Sequence, residues 1–212
     1  MTDSVSITDR DVLLAVDLQN DFASNGALAV PDGEAVVGPV NWLARGFRHV
    51  VLTQDWHPAG HSSFASTHPG KTPLETIEAD YGPQILWPDH CIQGSRGAEF
   101  LPDLDLRHAE MIIRKGYDPE IDSYSAFFEN DHATPTGLAG YLRERGLERV
   151  FLAGLALDFC VCWSAEDARK LGFPAVVLED ACRGIDVGGS MRKTRESFAA
   201  HDIAMIESRQ LN

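Results

Sequence analysis

Three side chains far apart in the chain could together open a carbonyl: the carboxylate of Asp17, the amine of Lys115 and the thiol of Cys160. A thiolate attacks carbonyl carbon, a nearby ammonium stabilises negative sulfur, and a carboxylate can take the thiol proton and return it to a departing amine. Cys160 closes the stretch Gly154-Leu155-Ala156-Leu157-Asp158-Phe159-Cys160, where a strand is expected to turn into a helix. Helix N-terminal amides there would favour the thiolate and could hold the oxyanion formed on attack. Cys162 lies two positions further along the same helix, so it points away and reads as packing. Cys160-Val161-Cys162 lacks the two-residue gap of a redox pair or zinc hairpin, and Cys182 has no partner nearby in the sequence.

A second cluster has the chemistry of a metal centre. Asp55-Trp56-His57-Pro58-Ala59-Gly60-His61 sets a carboxylate and two imidazoles within one short segment, and Trp87-Pro88-Asp89-His90-Cys91 adds a third imidazole. Alternate residues of an extended segment share a side, so Asp55 and His57 could meet one ion, with His61 and His90 completing the set. Asp89 and Cys91 are rival ligands beside His90. One carboxylate and three imidazoles without a thiolate suit one divalent ion, zinc ahead of iron or manganese.

These residues need elements that bring them together. Short β-rich stretches at Val12–Val16, His49–Thr53, Met111–Ile113, Val150–Gly154, Ala175–Leu178 and Ile203–Ile206 alternate with helical patterns at Gly33–Phe47, Thr136–Arg145, Phe159–Leu171 and Ser190–Ala200. That alternation predicts an α/β fold: a single domain with a mainly parallel six-stranded sheet and helices on both faces. Residues 1–10 read as a flexible N-terminal tail and 11–212 as the domain. Asp17, Asp55, Lys115, Cys160 and Asp180 then follow successive strands at their carboxyl ends, the edge where open α/β sheets bind ligands. The stretch from Asp55 to about Leu106 is rich in Pro, Gly, His and Ser, and long irregular loops of this kind are usually functional.

Composition narrows the partners. A chain of 212 residues with a net charge of −14 offers no broad basic footprint, so nucleic acid and anionic membrane are poor partners and a small molecule is the expected one. The apolar run Val150–Leu157 is far short of the roughly 20 residues that span a bilayer. Met1–Arg10 carries no apolar core of a secretory signal, so the expected location is cytoplasmic, with the four cysteines reduced. No Gly-rich phosphate loop follows the first strand, so no bound dinucleotide is implied. Whether the chain is a monomer or a homo-oligomer stays open at this level.

The motifs together resemble bacterial nicotinamidases, also called pyrazinamidases, within the isochorismatase-like cysteine hydrolases. The resemblance runs from Val12 to about Met205. It is carried by Val16-Asp17-Leu18-Gln19-Asn20-Asp21-Phe22, Gln54-Asp55-Trp56-His57-Pro58 with His61, Trp87-Pro88-Asp89-His90-Cys91, Lys115-Gly116, Asp122-Ser123-Tyr124-Ser125-Ala126-Phe127-Phe128 and Gly154 to Val161. It implies that 11–212 is an isochorismatase-like amidohydrolase domain, that Asp17, Lys115 and Cys160 are the catalytic triad, and that Asp55, His57, His61 and His90 bind the metal. It further implies a cis peptide between Leu155 and Ala156, an oxyanion hole made by the amides of Ala156 and Cys160, and a ring pocket formed by Phe22, Trp87, Tyr124 and Leu155. Leu157 and Phe159 depart from residues that many relatives carry there.

The reaction so implied is hydrolysis of nicotinamide to nicotinate and ammonia through a cysteine thioester, feeding NAD salvage, with pyrazinamide as a further substrate. Three rivals stand beside it. One is a related cysteine hydrolase acting on another small amide or carbamoyl compound. Another is a zinc amidohydrolase in which metal-bound hydroxide attacks and Cys160 is incidental. The last is a non-catalytic sensor of a pyridine compound.

Overall fold

The protein is described from a computed structural model covering residues 4–212. Six strands form one sheet in the order β5-β2-β1-β6-β7-β8: β1 (Asp11–Val16), β2 (His49–Asp55), β5 (Met111–Lys115), β6 (Arg149–Gly154), β7 (Ala175–Cys182) and β8 (Ala204–Ile206). Every pairing in it is parallel. All six expected strands are present. Strand β1, Asp-Val-Leu-Leu-Ala-Val, is buried along its whole length, as befits a central strand covered on both faces.

Alternation along β1 divides the core. Val12, Leu14 and Val16 face the side packed by α2 (Leu138–Glu144), α3 (Cys162–Lys170) and α4 (Ser190–Ala200). Leu13 and Ala15 face α1 (Val37–Ala44) through Val37, Val40 and Leu43. The chain moves to one side of β1 for β2 and β5, then crosses to the other for β6, β7 and β8. The switch point therefore falls between the carboxyl ends of β1 and β6, where such sheets open a crevice. Val16 pairs with Gly154 at that edge, and a Cβ on Gly154 would lie 2.2 Å from the Val16 carbonyl oxygen, so only glycine permits this approach.

Three expectations need correction here. The long connection after β2 is not wholly irregular, because β3 (Thr76–Ala79) and β4 (Gly82–Ile85) pair as an antiparallel hairpin. The expected helix from Phe159 begins instead as a π-helical turn, Leu157–Val161, before α3. The presumed tail lies partly at residues 1–3, outside the described residues, but from Val5 onward it is not free. Val5 donates to the Gln210 carbonyl at 2.8 Å and accepts from Asn212 at 3.1 Å.

The entry to the sheet is fixed by an ion pair that yields a measurable prediction. Arg149 grips Asp11 with Nε at 2.8 Å and a terminal nitrogen at 2.7 Å, and the Thr8 amide donates to the same carboxylate at 2.7 Å. Burial pushes the Asp11 carboxyl up, but the Arg149 and Thr8 hydrogen bonds and the Arg149 charge outweigh it and hold the group below the ordinary aspartate range. A depressed folded-state pKa contributes stability that is complete above the unfolded value and is lost as pH falls through the folded one. Asp11→Asn is expected to cost about 1–2 kcal/mol at neutral pH, the arginine being partly solvated. In urea melts of parent and variant, that difference should shrink as pH is taken below the ordinary aspartate range.

Candidate active site

The expected triad converges. Lys115, wholly buried at the end of β5, places Nζ 2.9 Å from Asp17 Oδ2, 3.0 Å from Asp55 Oδ1 and 3.5 Å from Cys160 Sγ. It also donates to the Ser123 carbonyl at 2.9 Å. An ammonium this deep in a protein needs such a shell, since removing it from water is costly unless it is paired and hydrogen-bonded. Asp17 stands in the left-handed region at φ 49°, one residue past β1. Its amide donates to Thr53 Oγ1 at 3.0 Å, and that hydroxyl donates back to Asp17 Oδ1 at 2.6 Å. Oδ2 is thereby left to face the Lys115 ammonium with no other partner.

The electrostatics at Cys160 pull in both directions, and the balance opposes ionisation. Burial pushes the thiol well above the ordinary cysteine range, and Asp17 and Asp55 push it further, against the opposing charge of Lys115. The two carboxylates are driven apart. Burial raises Asp17 despite Lys115, whereas Asp55 is held well below its ordinary value because His57 and Lys115 outweigh its burial. Lys115 is raised well above its own range by Asp17 and Asp55 against its desolvation. A raised carboxyl beside an un-ionised thiol is a matched pair for proton transfer, while Asp55 remains an anion.

Asp55 also faces the histidines. Its Oδ2 lies 3.0 Å from His57 Nε2 and 3.2 Å from His90 Nε2. His57 Nδ1 donates to the Gly116 carbonyl and His90 Nδ1 to the Pro88 carbonyl, each at 2.8 Å. A carbonyl can only accept, so Nδ1 of each ring carries a hydrogen and Nε2 is the nitrogen turned toward Asp55, where it donates as an imidazolium and would face an ion as a neutral ring. Gly116 is demanded by this packing, because a Cβ there would sit 2.4 Å from His57 Cε1. Asp55, His57 and His90 thus form one buried group suited to a divalent ion.

His61 is differently placed. Its ring lies 4.4 Å from that of His57, but Nδ1 accepts from the Ser63 amide at 3.1 Å and Nε2 donates to the Asp118 carbonyl at 2.7 Å. It forms a second group with His57 and Asp122. The rivals beside His90 are turned elsewhere: Asp89 accepts from Ser66 at 2.5 Å, and the Cys91 side chain packs in the α1-side core. Asp180 does not join the site. Strand β7 continues through it, and its carboxylate caps Ser208 at the surface.

A narrow cavity opens between Cys160 and the Asp55–His90 group. Phe22, Trp87 and Tyr124 line it as expected, joined by Phe159, which packs edge-on against Trp87 at 5.0 Å and Tyr124 at 5.7 Å. The Tyr124 hydroxyl accepts from Trp87 Nε1 at 3.0 Å and Gln84 Nε2 at 3.2 Å, which fixes the ring. Leu155 is not on the wall; it packs in the α1-side core beneath, near Gly33. The peptide between Leu155 and Ala156 is cis. Ala156 lines the cavity beside Cys160, and its amide meets no protein acceptor among the described residues.

Sequence reasoning missed Asp122 and Gln84. Asp122, 1% exposed, lies 3.8 Å from His57 Nε2 and is held by Gln84 Nε2 at 2.7 Å. A carboxylate opening the Ser123-Tyr124 segment was the available signal for the first. Gln84 gave none, since it sits on the hairpin that read as irregular. Cys162 and Cys182 are buried and free, and Cys162 is turned to Glu166 at 3.5 Å, as its packing role requires.

The isochorismatase domain model matches residues 11–205. A nicotinamidase of Acinetobacter baylyi is 50% identical over 199 residues, covering 94% of this chain and 93% of that protein. The structure of an Acinetobacter baumanii nicotinamidase and pyrazinamidase superposes with a TM-score of 0.94 at 53% identity, over 95% of this chain and 98% of that one. A Pyrococcus horikoshii pyrazinamidase solved with zinc gives a TM-score of 0.76 at 35% identity, over 93% of this chain and 99% of that one.

Proposed function

The chain belongs to the isochorismatase family, and from that premise we infer that it hydrolyses nicotinamide to nicotinate and ammonia. The observation that carries this reading is Lys115 within 3.5 Å of Cys160 Sγ and 2.9 Å of Asp17, with Cys160 lining a cavity walled by aromatic rings. Pyrazinamide, a ring carboxamide of similar shape, is the second substrate.

The nicotinamide ring lies among Phe22, Trp87, Tyr124 and Phe159, whose faces and edges suit a flat heteroaromatic. A divalent ion, zinc ahead of iron or manganese, would be held by Asp55, His57 and His90, with His61 turning to join them, and would supply a Lewis-acidic seat for the ring nitrogen. Asp17 takes the proton of Cys160 as the sulfur adds to the carboxamide carbon. The oxygen of the tetrahedral adduct is met by the amides of Ala156 and Cys160, and Lys115 stays protonated to balance the charge on sulfur. Asp17 passes its proton to the amine, the C–N bond breaks and ammonia leaves. Asp17 then takes a proton from water, whose oxygen adds to the thioester. Collapse of that adduct breaks the C–S bond, releases nicotinate and restores the thiol.

Four buried free cysteines support a reducing, cytoplasmic setting. No helix among the described residues is long and apolar enough to cross a membrane. Nicotinate formed there would feed NAD salvage. The reading is tested by measuring nicotinate and ammonia from nicotinamide, beside ammonia from a carbamoyl compound and an acyclic amide. Both products should appear in equal amounts from nicotinamide, with pyrazinamide also turned over. Faster release from the acyclic or carbamoyl compound would transfer the chain to a different amide substrate.

A further inference from the structure

We propose that Asp158 is a positioning residue that seats Ile185 as a wall of the substrate pocket, an inference that rests on the nicotinamide reading. Asp158 lies in the π-helical turn two residues before Cys160 and is 5% exposed. Both of its oxygens are committed away from the sulfur. Oδ1 accepts the Ile185 amide at 3.0 Å, while Oδ2 accepts the Asp186 amide at 2.8 Å and the Ser190 hydroxyl at 2.5 Å. These donors come from the connection between β7 and α4 and from the first residue of α4. Leu157 adds another tie by donating to the Arg183 carbonyl at 2.7 Å. The turn that carries the nucleophile is thereby fastened to the loop that carries Ile185.

Ile185 uses that attachment. Its side chain lines the cavity with Phe22, Leu28, Ala156, Phe159 and Cys160, and it packs against both halves of the core. The loop has little regular structure to hold it otherwise. Asp186, Gly188 and Gly189 adopt φ values of 59°, 58° and 76°, and a Cβ on Gly184 would meet Met191 Sδ at 2.2 Å and Asp158 Oδ1 at 2.9 Å. A carboxylate is the side chain this place requires, since it accepts on both oxygens and presents no hydrogen of its own. Asparagine has the same shape but must aim an NH2 group at one set of donors, setting hydrogen against hydrogen. Asp158 touches neither substrate nor reacting atoms. It acts through Ile185.

The test compares steady-state hydrolysis of nicotinamide by the parent, Asp158→Asn, Ile185→Ala and the double variant. Each is also inactivated with iodoacetamide, a reagent small enough not to need the ring wall. Loss of one apolar wall from a ring pocket should raise KM about tenfold in each single variant while kcat stays within about threefold. Iodoacetamide should inactivate all four at similar rates, and the double variant should be no worse than Ile185→Ala alone. A fall in kcat and in alkylation rate at unchanged KM would overturn the proposal by assigning Asp158 to the nucleophile. Independent, multiplying effects on KM would overturn it too. If Asp158→Asn does not fold, Ser190→Ala, which removes a single donor, should still raise KM in step with Ile185→Ala, and an unchanged KM in both defeats the idea. A parent that forms no nicotinate would instead defeat the functional reading on which the proposal stands.

Discussion

Cys160→Ala is expected to lower nicotinamide hydrolysis by at least about 10⁴-fold, because the covalent route disappears and only binding and oxyanion contacts are left. The loss should fall on kcat. Phe22, Trp87, Tyr124 and Phe159 still form the cavity, and Ala156 still offers its amide, so calorimetry should show nicotinamide binding to the inactive variant. The fold should tolerate the change. Cys160 is small and buried, and Lys115 keeps Asp17, Asp55 and Ser123 when the sulfur at 3.5 Å is removed, so the stability cost should be about 1 kcal/mol. Iodoacetamide should inactivate the parent, and nicotinamide should protect it. Activity in the variant close to that of the parent would remove sulfur from the chemistry and favour attack by metal-bound hydroxide.

What could be read from the sequence divides along physical lines. Strands such as Val12–Val16 and Val150–Gly154 were legible because a strand buried on both faces must be apolar throughout. Their carboxyl tips then located Asp17, Lys115 and Cys160 without coordinates. The same rule failed at Asp180, because β7 continues past its apolar run through Glu179 and Asp180, where the strand faces solvent. The β3–β4 hairpin was illegible for a related reason: it is half exposed, and Gly82 and Pro83 start its second strand. Types and spacing brought out Asp55, His57 and His90 as a candidate metal group but not the orientation of the rings, which depends on carbonyls of Gly116 and Pro88. A neighbouring lysine that favours a Cys160 thiolate can be read from a sequence, while the burial of the sulfur that opposes ionisation cannot. Leu155 went astray because a motif gives a residue's place in the chain, and the side to which it points is set by packing against Gly33.

The second large effect belongs to Lys115→Met, and it separates activity from stability. Methionine nearly matches the volume of the lysine stem but leaves Asp17 and Asp55 at the place where Nζ had stood 2.9 Å and 3.0 Å from their oxygens. Breaking one side of a buried ion pair typically costs about 3–5 kcal/mol, because the charge left behind is neither solvated nor paired. Asp55 keeps His57 and His90 at 3.0 Å and 3.2 Å, so the uncompensated charge is that of Asp17. That asymmetry gives the check. Adding Asp17→Asn to Lys115→Met should recover much of the lost stability in chemical denaturation, since the stranded anion is gone, and the thermodynamic cycle should report strong coupling. Activity should not return. The double variant has neither a carboxylate to take the thiol proton nor an ammonium beside the sulfur, and each variant should lose at least about 10³-fold in kcat. A double variant no more stable than Lys115→Met would mean that Asp17 is not the partner that holds the lysine in the core.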